Sequence, residues 1–262
     1  LGCRGERLSL FISFEGGEGS GKSTQAEILA ERLAKLGVEV LFIHEPGSTE
    51  LGWYVRDWLK RGLKHERTIS HNAELFLFSA ARSELVTKVI RPALEERNVI
   101  VIADRYVDST TAYQGFGRGI PKQSLDIINN LATQDLMPDL TFFLDCSPEE
   151  GLRRLGAFQL KLPLELIEFP KTNQNERDQE GARFEEETID FHERVRQGYL
   201  EIARNEPQRI CKIDGTKSIE EISELVWRYT ISKVPFLPEE NISSSLFDAS
   251  IPANAEFNNK ES

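Results

Sequence analysis

Short apolar runs recur along the chain and alternate with longer stretches of helical periodicity. Leu10–Phe14, Val38–Ile43, Val99–Ala103, Leu140–Leu144 and Arg209–Ile213 predict strands buried on both faces. Lys22–Leu36, Glu50–Lys60, His71–Glu96, Lys122–Thr133, Phe184–Asn205 and Ile219–Ser232 predict the helices between them. Strands alternating with helices imply a parallel sheet covered on both sides. Two segments break the rhythm. Residues 156–183 are polar toward their C-terminal end, hold two prolines and carry one apolar patch, LPLELIEF. A connection of that length predicts a lid or a disordered insert. Residues 235–262 are rich in Ser, Asn, Pro and acidic side chains without periodicity, which predicts a disordered tail. The expected organisation is therefore an extension over 1–9, a domain over 10–233 with a lid at about 154–183, and a tail over 234–262.

Composition narrows the function classes. The 262 residues are 39% hydrophobic and 29% charged, ordinary for a globular protein, and no apolar run reaches the ~18 residues of a membrane span. The first ten residues, LGCRGERLSL, lack a signal-peptide core, so a cytoplasmic protein without a membrane partner is expected. The formal net charge of -11 argues against non-specific nucleic-acid binding. A polyanionic ligand would instead need its positive charge gathered locally. Cys3, Cys146 and Cys211 are spaced for neither a metal nor a disulfide framework, and the four histidines do not cluster.

The stretch FISFEGGEGSGKSTQAE changes the picture. Gly16-x-x-x-x-Gly21-Lys22-Ser23 follows a predicted strand and opens a predicted helix, the arrangement of a Walker A phosphate loop. Gly16, Gly17, Gly19 and Gly21 let backbone N–H groups turn inward around a phosphate, and Ser20 and Thr24 complete the loop. The helix N-terminus adds its dipole, Lys22 a mobile cation, and Ser23 a hydroxyl for Mg²⁺. ATP is the expected co-substrate. Switch GTPases, ATP-driven machines and small-molecule kinases all share such a loop, so it does not fix the activity.

A second constellation lies in VIVIADRYVDSTTAYQGFGRGI. Asp104 and Arg105 fall at the C-terminal end of a strand, the edge where parallel α/β sheets bind ligands. Asp104 suits Mg²⁺ and Arg105 suits an anion, while the plainer reading is a strand-end salt bridge. Phe78 and Arg82 are four apart on a helix. Either they pack and solvate as ordinary helix residues, or ring and guanidinium together read a nucleobase.

EGGEGSGKST, EPGST, LFLFSAAR, DRYVDSTTAYQGFGRG and RFEEETIDFHERVRQGYL together resemble the thymidylate kinase family, from about Leu10 to Ile231. The resemblance implies a P-loop NTPase fold, a three-layer α/β/α sandwich with a five-stranded parallel sheet and a lid insert. It implies phosphorylation of dTMP by ATP with Mg²⁺, in a homodimer. In such enzymes Phe78 would stack on thymine, Arg82 would donate to its O4, and Thr110, Tyr113 and Gln114 would line the base and sugar. Arg56 would join Arg105 at the acceptor phosphate. Glu18 would accept from the sugar 3′-hydroxyl, and a lid arginine would then supply charge at the moving phosphoryl group; Arg153, Arg154, Arg177 and Arg183 are the candidates. The chain departs from the family in its longer lid, in Ala182 before Arg183 where Asp is common, and in His44 before Glu45 where Arg is more frequent. The residues leave open a kinase for another pyrimidine nucleotide or a deoxynucleoside, or a P-loop regulatory protein with impaired catalysis.

Overall fold

The computed structural model describes residues 9–61, 69–96, 98–161, 184 and 187–234. Five strands, β1 (Leu10–Glu15), β2 (Glu39–His44), β3 (Val99–Asp104), β4 (Leu140–Asp145) and β5 (Ile210–Asp214), form one sheet in the order β2-β3-β1-β4-β5. Every pairing is parallel, as the apolar runs predict. β1 and β3 are buried almost throughout because both lie inside the sheet, whereas β2 is partly exposed because it is an edge.

Alternate residues of β1 point to opposite layers. Leu10, Ile12 and Phe14 enter one core with Leu29 and Leu33 of α1 (Lys22–Lys35) and with Val226 and Trp227 of the C-terminal helix, Ile219–Ile231. Phe11 enters the opposite core with Leu85, Ile90 and Tyr106. The polar Ser13 and Glu15 share that second face; Ser13 bonds Thr141 across the sheet at 2.7 Å. The register sets Phe14 opposite Asp104, so the segments after β1 and β3 emerge side by side.

Between β2 and β3 run α2 (Glu50–Arg61), α3 (His71–Leu85) and α4 (Arg91–Glu95), the last two joined by a π-helical turn, Val86–Ile90. One continuous helix was expected over His71–Glu96. Pro92 has no N–H to give the carbonyl four residues earlier. The chain widens instead, and the Arg91 N–H bonds Val86 O. After β3, α5 (Val107–Thr110) passes into a second π-helical stretch, Thr111–Gly117, then α6 (Lys122–Thr133). α7 (Pro148–Lys161) follows β4, and α8 (Ile189–Asn205) precedes β5 and the closing α9 (Ile219–Ile231).

Three expectations are revised. Val107–Gly117 is helical, although its β-branched and glycine residues gave no helical signal; packing against α8 holds it. α7 was not predicted and carries the chain to Lys161, past the expected lid start near 154. α8 begins at Ile189 rather than Phe184, because Thr188 caps it by accepting from the Phe191 N–H. Most of the expected lid, the extension and the tail lie outside the described residues.

Candidate active site

The loop between β1 and α1 is fixed by close backbone approach. Gly19 has φ 66°, and a Cβ there would sit 2.0 Å from the Gly151 carbonyl oxygen on α7. Gly151 reciprocates: its own Cβ would lie 2.1 Å from Glu18 O. Two glycines thus let α7 lie directly against the phosphate loop. Gly21, at φ 90°, turns the chain into α1.

The side chains of the loop point two ways. Lys22 is buried and its Nζ donates to Gly17 O at 3.2 Å. Burial lowers its pKa and the Arg105 charge lowers it further, against the opposing pull of Glu18, Asp104 and Glu15. Ser23 Oγ donates to Asp104 Oδ2 at 2.6 Å, while Asp104 Oδ1 is buried without a partner. Ser20 Oγ is likewise buried without a partner. Around Lys22, Ser23, Asp104 and Arg105 opens a polar cavity of about 320 Å³, also lined by Glu18, His44, Glu45 and Arg56. Arg56 reaches it from α2 and donates to Pro46 O at 3.0 Å.

Arg105 sits in the left-handed region at φ 73°, rare for a residue with a Cβ. Its Nη2 donates to Glu18 Oε1 at 2.6 Å and to the Tyr113 hydroxyl at 3.1 Å. Its Nη1 donates to Gly16 O, Ser109 Oγ and Tyr199 OH at 3.0, 3.2 and 3.3 Å. Tyr113 OH in turn donates to Glu18 Oε1 at 2.7 Å. Burial would raise the Glu18 carboxyl, but Arg105, Lys22 and Tyr113 outweigh it and hold the group at about 2. Glu15, fully buried three residues earlier, goes the other way. Burial and the Asp108 charge lift it to about 7, against Ser109, Arg105 and the Tyr106 amide.

A second cavity adjoins the first. It has a volume of about 120 Å³, on the scale of a one-ring ligand. Phe78, Arg82, Thr110, Tyr113 and Gln114 all line it, together with Glu18 and Arg105. Arg82 is not the solvated helix arginine its position allowed: it is 2% exposed and paired with Glu45 at 2.6 Å. Nε also donates to Glu45 Oε2, Nη2 to Tyr106 O, and Nη1 to Thr110 Oγ1. Of the five guanidinium donors this leaves one, on Nη1. Gln114 Nε2 donates to the buried Glu74.

Sequence reasoning gave no role to Glu45, Pro46, Ser109 or Phe184, which line the same cavity. The Phe184 ring stands 5.1 Å from Tyr113 and 6.2 Å from Phe78. All four lie within EPGST, DRYVDSTTAYQGFGRG or RFEEETIDFHERVRQGYL, so a signal was present. Glu45 lines both cavities and its Oε1 is buried without a partner.

The candidate lid arginines separate. Arg153 lies exposed on α7 and pairs with Glu150. Arg154, on the same helix, donates to Glu150 Oε1 and to Gly215 O, both at 2.8 Å, beside the turn after β5. Arg177 and Arg183 lie outside the described residues. Among the described residues no cluster of three His, Cys, Asp or Glu could hold a metal, and no helix is long and apolar enough to cross a membrane.

The sequence pattern of the family described as thymidylate kinase matches residues 14–226. The chain belongs to that family. A thymidylate kinase of Dehalococcoides mccartyi is 46% identical over 221 residues, 84% of this chain and 94% of the relative. That of Pelobacter propionicus is 42% identical over 219 residues, covering 84% and 92% respectively. The crystal structure of thymidylate kinase from Ehrlichia chaffeensis aligns with a TM-score of 0.58 at 34% identity, over 78% of this chain and 92% of that one. The two adjoining cavities form one site, a small pocket opening onto a polar one in which Lys22, Arg56 and Arg105 stand among carboxylates.

Proposed function

We propose that the chain transfers the γ-phosphoryl group of ATP to the phosphate of dTMP, giving ADP and dTDP. The observation that carries this reading is the shared wall. Glu18, Glu45 and Arg105 line both cavities, so a nucleoside in one places its 5′-phosphate in the other. In-line transfer between two phosphates needs positioning and charge neutralisation, with no covalent enzyme intermediate.

Each side chain has a task in that arrangement. The glycine loop and Lys22 hold the donor phosphates, with Ser20 and Thr24 at its helix end. Arg105 and Arg56 grip the acceptor phosphate, and Phe78 stacks on the base. The remaining Arg82 donor addresses thymine O4, and the second Thr110 lone pair accepts from N3–H. Tyr113 and Gln114 close the sugar and base side. Glu18 Oε1 is engaged by Arg105 and Tyr113, so Oε2, which bonds no described residue, accepts from the 3′-hydroxyl. A cation from Arg154, Arg177 or Arg183 completes neutralisation of the moving group; Arg154 must first leave Glu150 and Gly215 O.

A divalent cation fits beside Ser23 and Asp104: the hydroxyl is hydrogen-bonded to the carboxylate at 2.6 Å and keeps its lone pairs, and Asp104 Oδ1 has no partner among the described residues. Mg²⁺ there would take its other ligands from phosphates and water and would neutralise charge on the β- and γ-phosphates. We also infer a homodimer. α2 exposes Trp53 and Tyr54, Tyr54 and Phe76 share an apolar groove with Trp58, and α6, packed against α3, exposes Ile127 and Leu131. Exposed large apolar residues of this number mark an interaction face.

The test is ADP formation with dTMP, dUMP, dCMP and thymidine as acceptors. Turnover should be fastest with dTMP. Turnover confined to thymidine would replace the reading with a nucleoside kinase, and none with any acceptor would replace it with a binding protein.

A further inference from the structure

Glu15 closes β1 and takes no part in the roles above, yet it is a carboxyl beside the site with no solvent exposure. Three donors converge on it. Oε1 accepts from the Tyr106 N–H at 2.7 Å; Oε2 accepts from Ser109 Oγ at 2.6 Å and from Tyr199 OH at 3.0 Å. Two of those donors are the hydroxyls that receive Arg105 Nη1. The two hydroxyls also lie 2.8 Å from each other, so at least one of them gives its proton to Glu15 while both turn a lone pair to the guanidinium. When ionised, as at pH 8, Glu15 presents an acceptor-only group at Oε2 that sets the polarity of this hydroxyl network.

The backbone tells the same story. Arg105 is held at φ 73°, a strained conformation for a residue with a Cβ. Two consecutive amides bracket it. Its own N–H bonds Phe14 O at 3.0 Å, and the next N–H, of Tyr106, bonds the Glu15 carboxylate. Both anchors are the last residues of β1, the most buried strand end in the sheet. Such strain persists only where the surroundings over-determine it.

We propose that Glu15 is a positioning residue for the acceptor phosphate: through the Tyr106 amide, Ser109 and Tyr199 it fixes the turn and the rotamer of Arg105. The inference rests on the reading that Arg105 grips the dTMP phosphate. It predicts a larger effect on phosphate recognition than on base recognition, because Phe78, Arg82 and Thr110 are not among the groups Glu15 bonds.

The experiment is direct binding of dTMP and of thymidine to the full chain by calorimetry at pH 8, for the wild type and for Glu15→Gln. The amide keeps an acceptor for Tyr106 and presents donors to the two hydroxyls. The expected result is a loss of dTMP affinity of about tenfold, with thymidine and an ATP analogue changed less than twofold. A dTMP loss less than threefold larger than the thymidine loss overturns the proposal. If Glu15→Gln does not fold, the double variant Ser109→Ala, Tyr199→Phe removes both intermediaries and should show the same selective loss; equal weakening of both ligands overturns the proposal there too. Wild-type protein that binds dTMP no better than thymidine would instead remove the underlying reading, and the proposal with it.

Discussion

The base cavity and the phosphate cavity share three residues but solve opposite problems. In the base cavity each charge already has its counter-charge: Arg82 and Glu45 are both buried and lie 2.6 Å apart. The Arg82 donors are almost fully used. In the phosphate cavity Arg105 is paired with Glu18 at 2.6 Å, but the other two cations rest on carbonyls. Lys22 holds Gly17 O, Arg56 holds Pro46 O, and Asp104 Oδ1 holds nothing. Carbonyl partners are weaker than ionised ones and are readily exchanged for phosphate oxygens. The base side is therefore finished before ligand arrives, and the phosphate side is completed by it. Glu18 is the joint: its charge is held by Arg105 and Lys22, and it lines both cavities.

That contrast can be broken from either side. Lys22→Ala should lower kcat by about a thousandfold or more, while dTMP affinity stays within a few-fold. Rapid-quench turnover with calorimetric dTMP binding checks both; near-normal kcat would remove Lys22 from the transfer. Arg82→Ala strikes the finished side. It strands Glu45 as a buried, unpaired carboxylate, at about 3–5 kcal/mol of stability. It should also lower kcat/KM for dTMP about a hundredfold with the KM for ATP nearly unchanged. Equal weakening of ATP and dTMP would mean that Arg82 serves general packing.

Smaller effects probe the joint. Glu18→Ala should lower dTMP affinity about tenfold, the worth of one charge-assisted hydrogen bond. A 3′-deoxy analogue should lose little, since it has no hydroxyl to read; an equal loss would contradict the assignment. The smallest effect is in the pH dependence of stability. Glu18, held at about 2, contributes stability that is present above the ordinary carboxyl range and is lost as pH falls toward about 2. Glu15, raised to about 7, binds a proton more readily in the folded chain, so stability falls as pH rises from the ordinary carboxyl range through about 7. Urea unfolding of the ligand-free protein at pH 5 and pH 8 should show this second slope, and Glu15→Gln should flatten it. An unchanged slope in that variant would assign it to another group.

Much of this was legible in the chain, for reasons that differ by element. The strands were readable because parallel strands covered on both faces must be apolar at successive positions, as Val99–Ala103 is. The phosphate loop was readable because its glycines, lysine and hydroxyls sit in a fixed local order. Phe78 and Arg82 were readable as a pair because one helix face carries both into the cavity. Glu15 was not, because its role depends on Ser109 and Tyr199, which are 94 and 184 residues away in the chain. No local pattern encodes such a meeting. α7 could have been found: Ser147 and Pro148 form a cap followed by Pro at the first helical position, and Ser147 Oγ accepts from the Glu150 N–H. The Arg82–Glu45 pair needed the fold, since 37 residues and the whole of α2 separate its halves.

The most direct test of the account follows one atom. ATP labelled in its γ-phosphate is incubated with dTMP, Mg²⁺ and the protein, and the products are separated. The account predicts label in the β-phosphate of dTDP, in equal amount to the ADP formed. Label appearing only as inorganic phosphate, with dTMP unchanged, would contradict it.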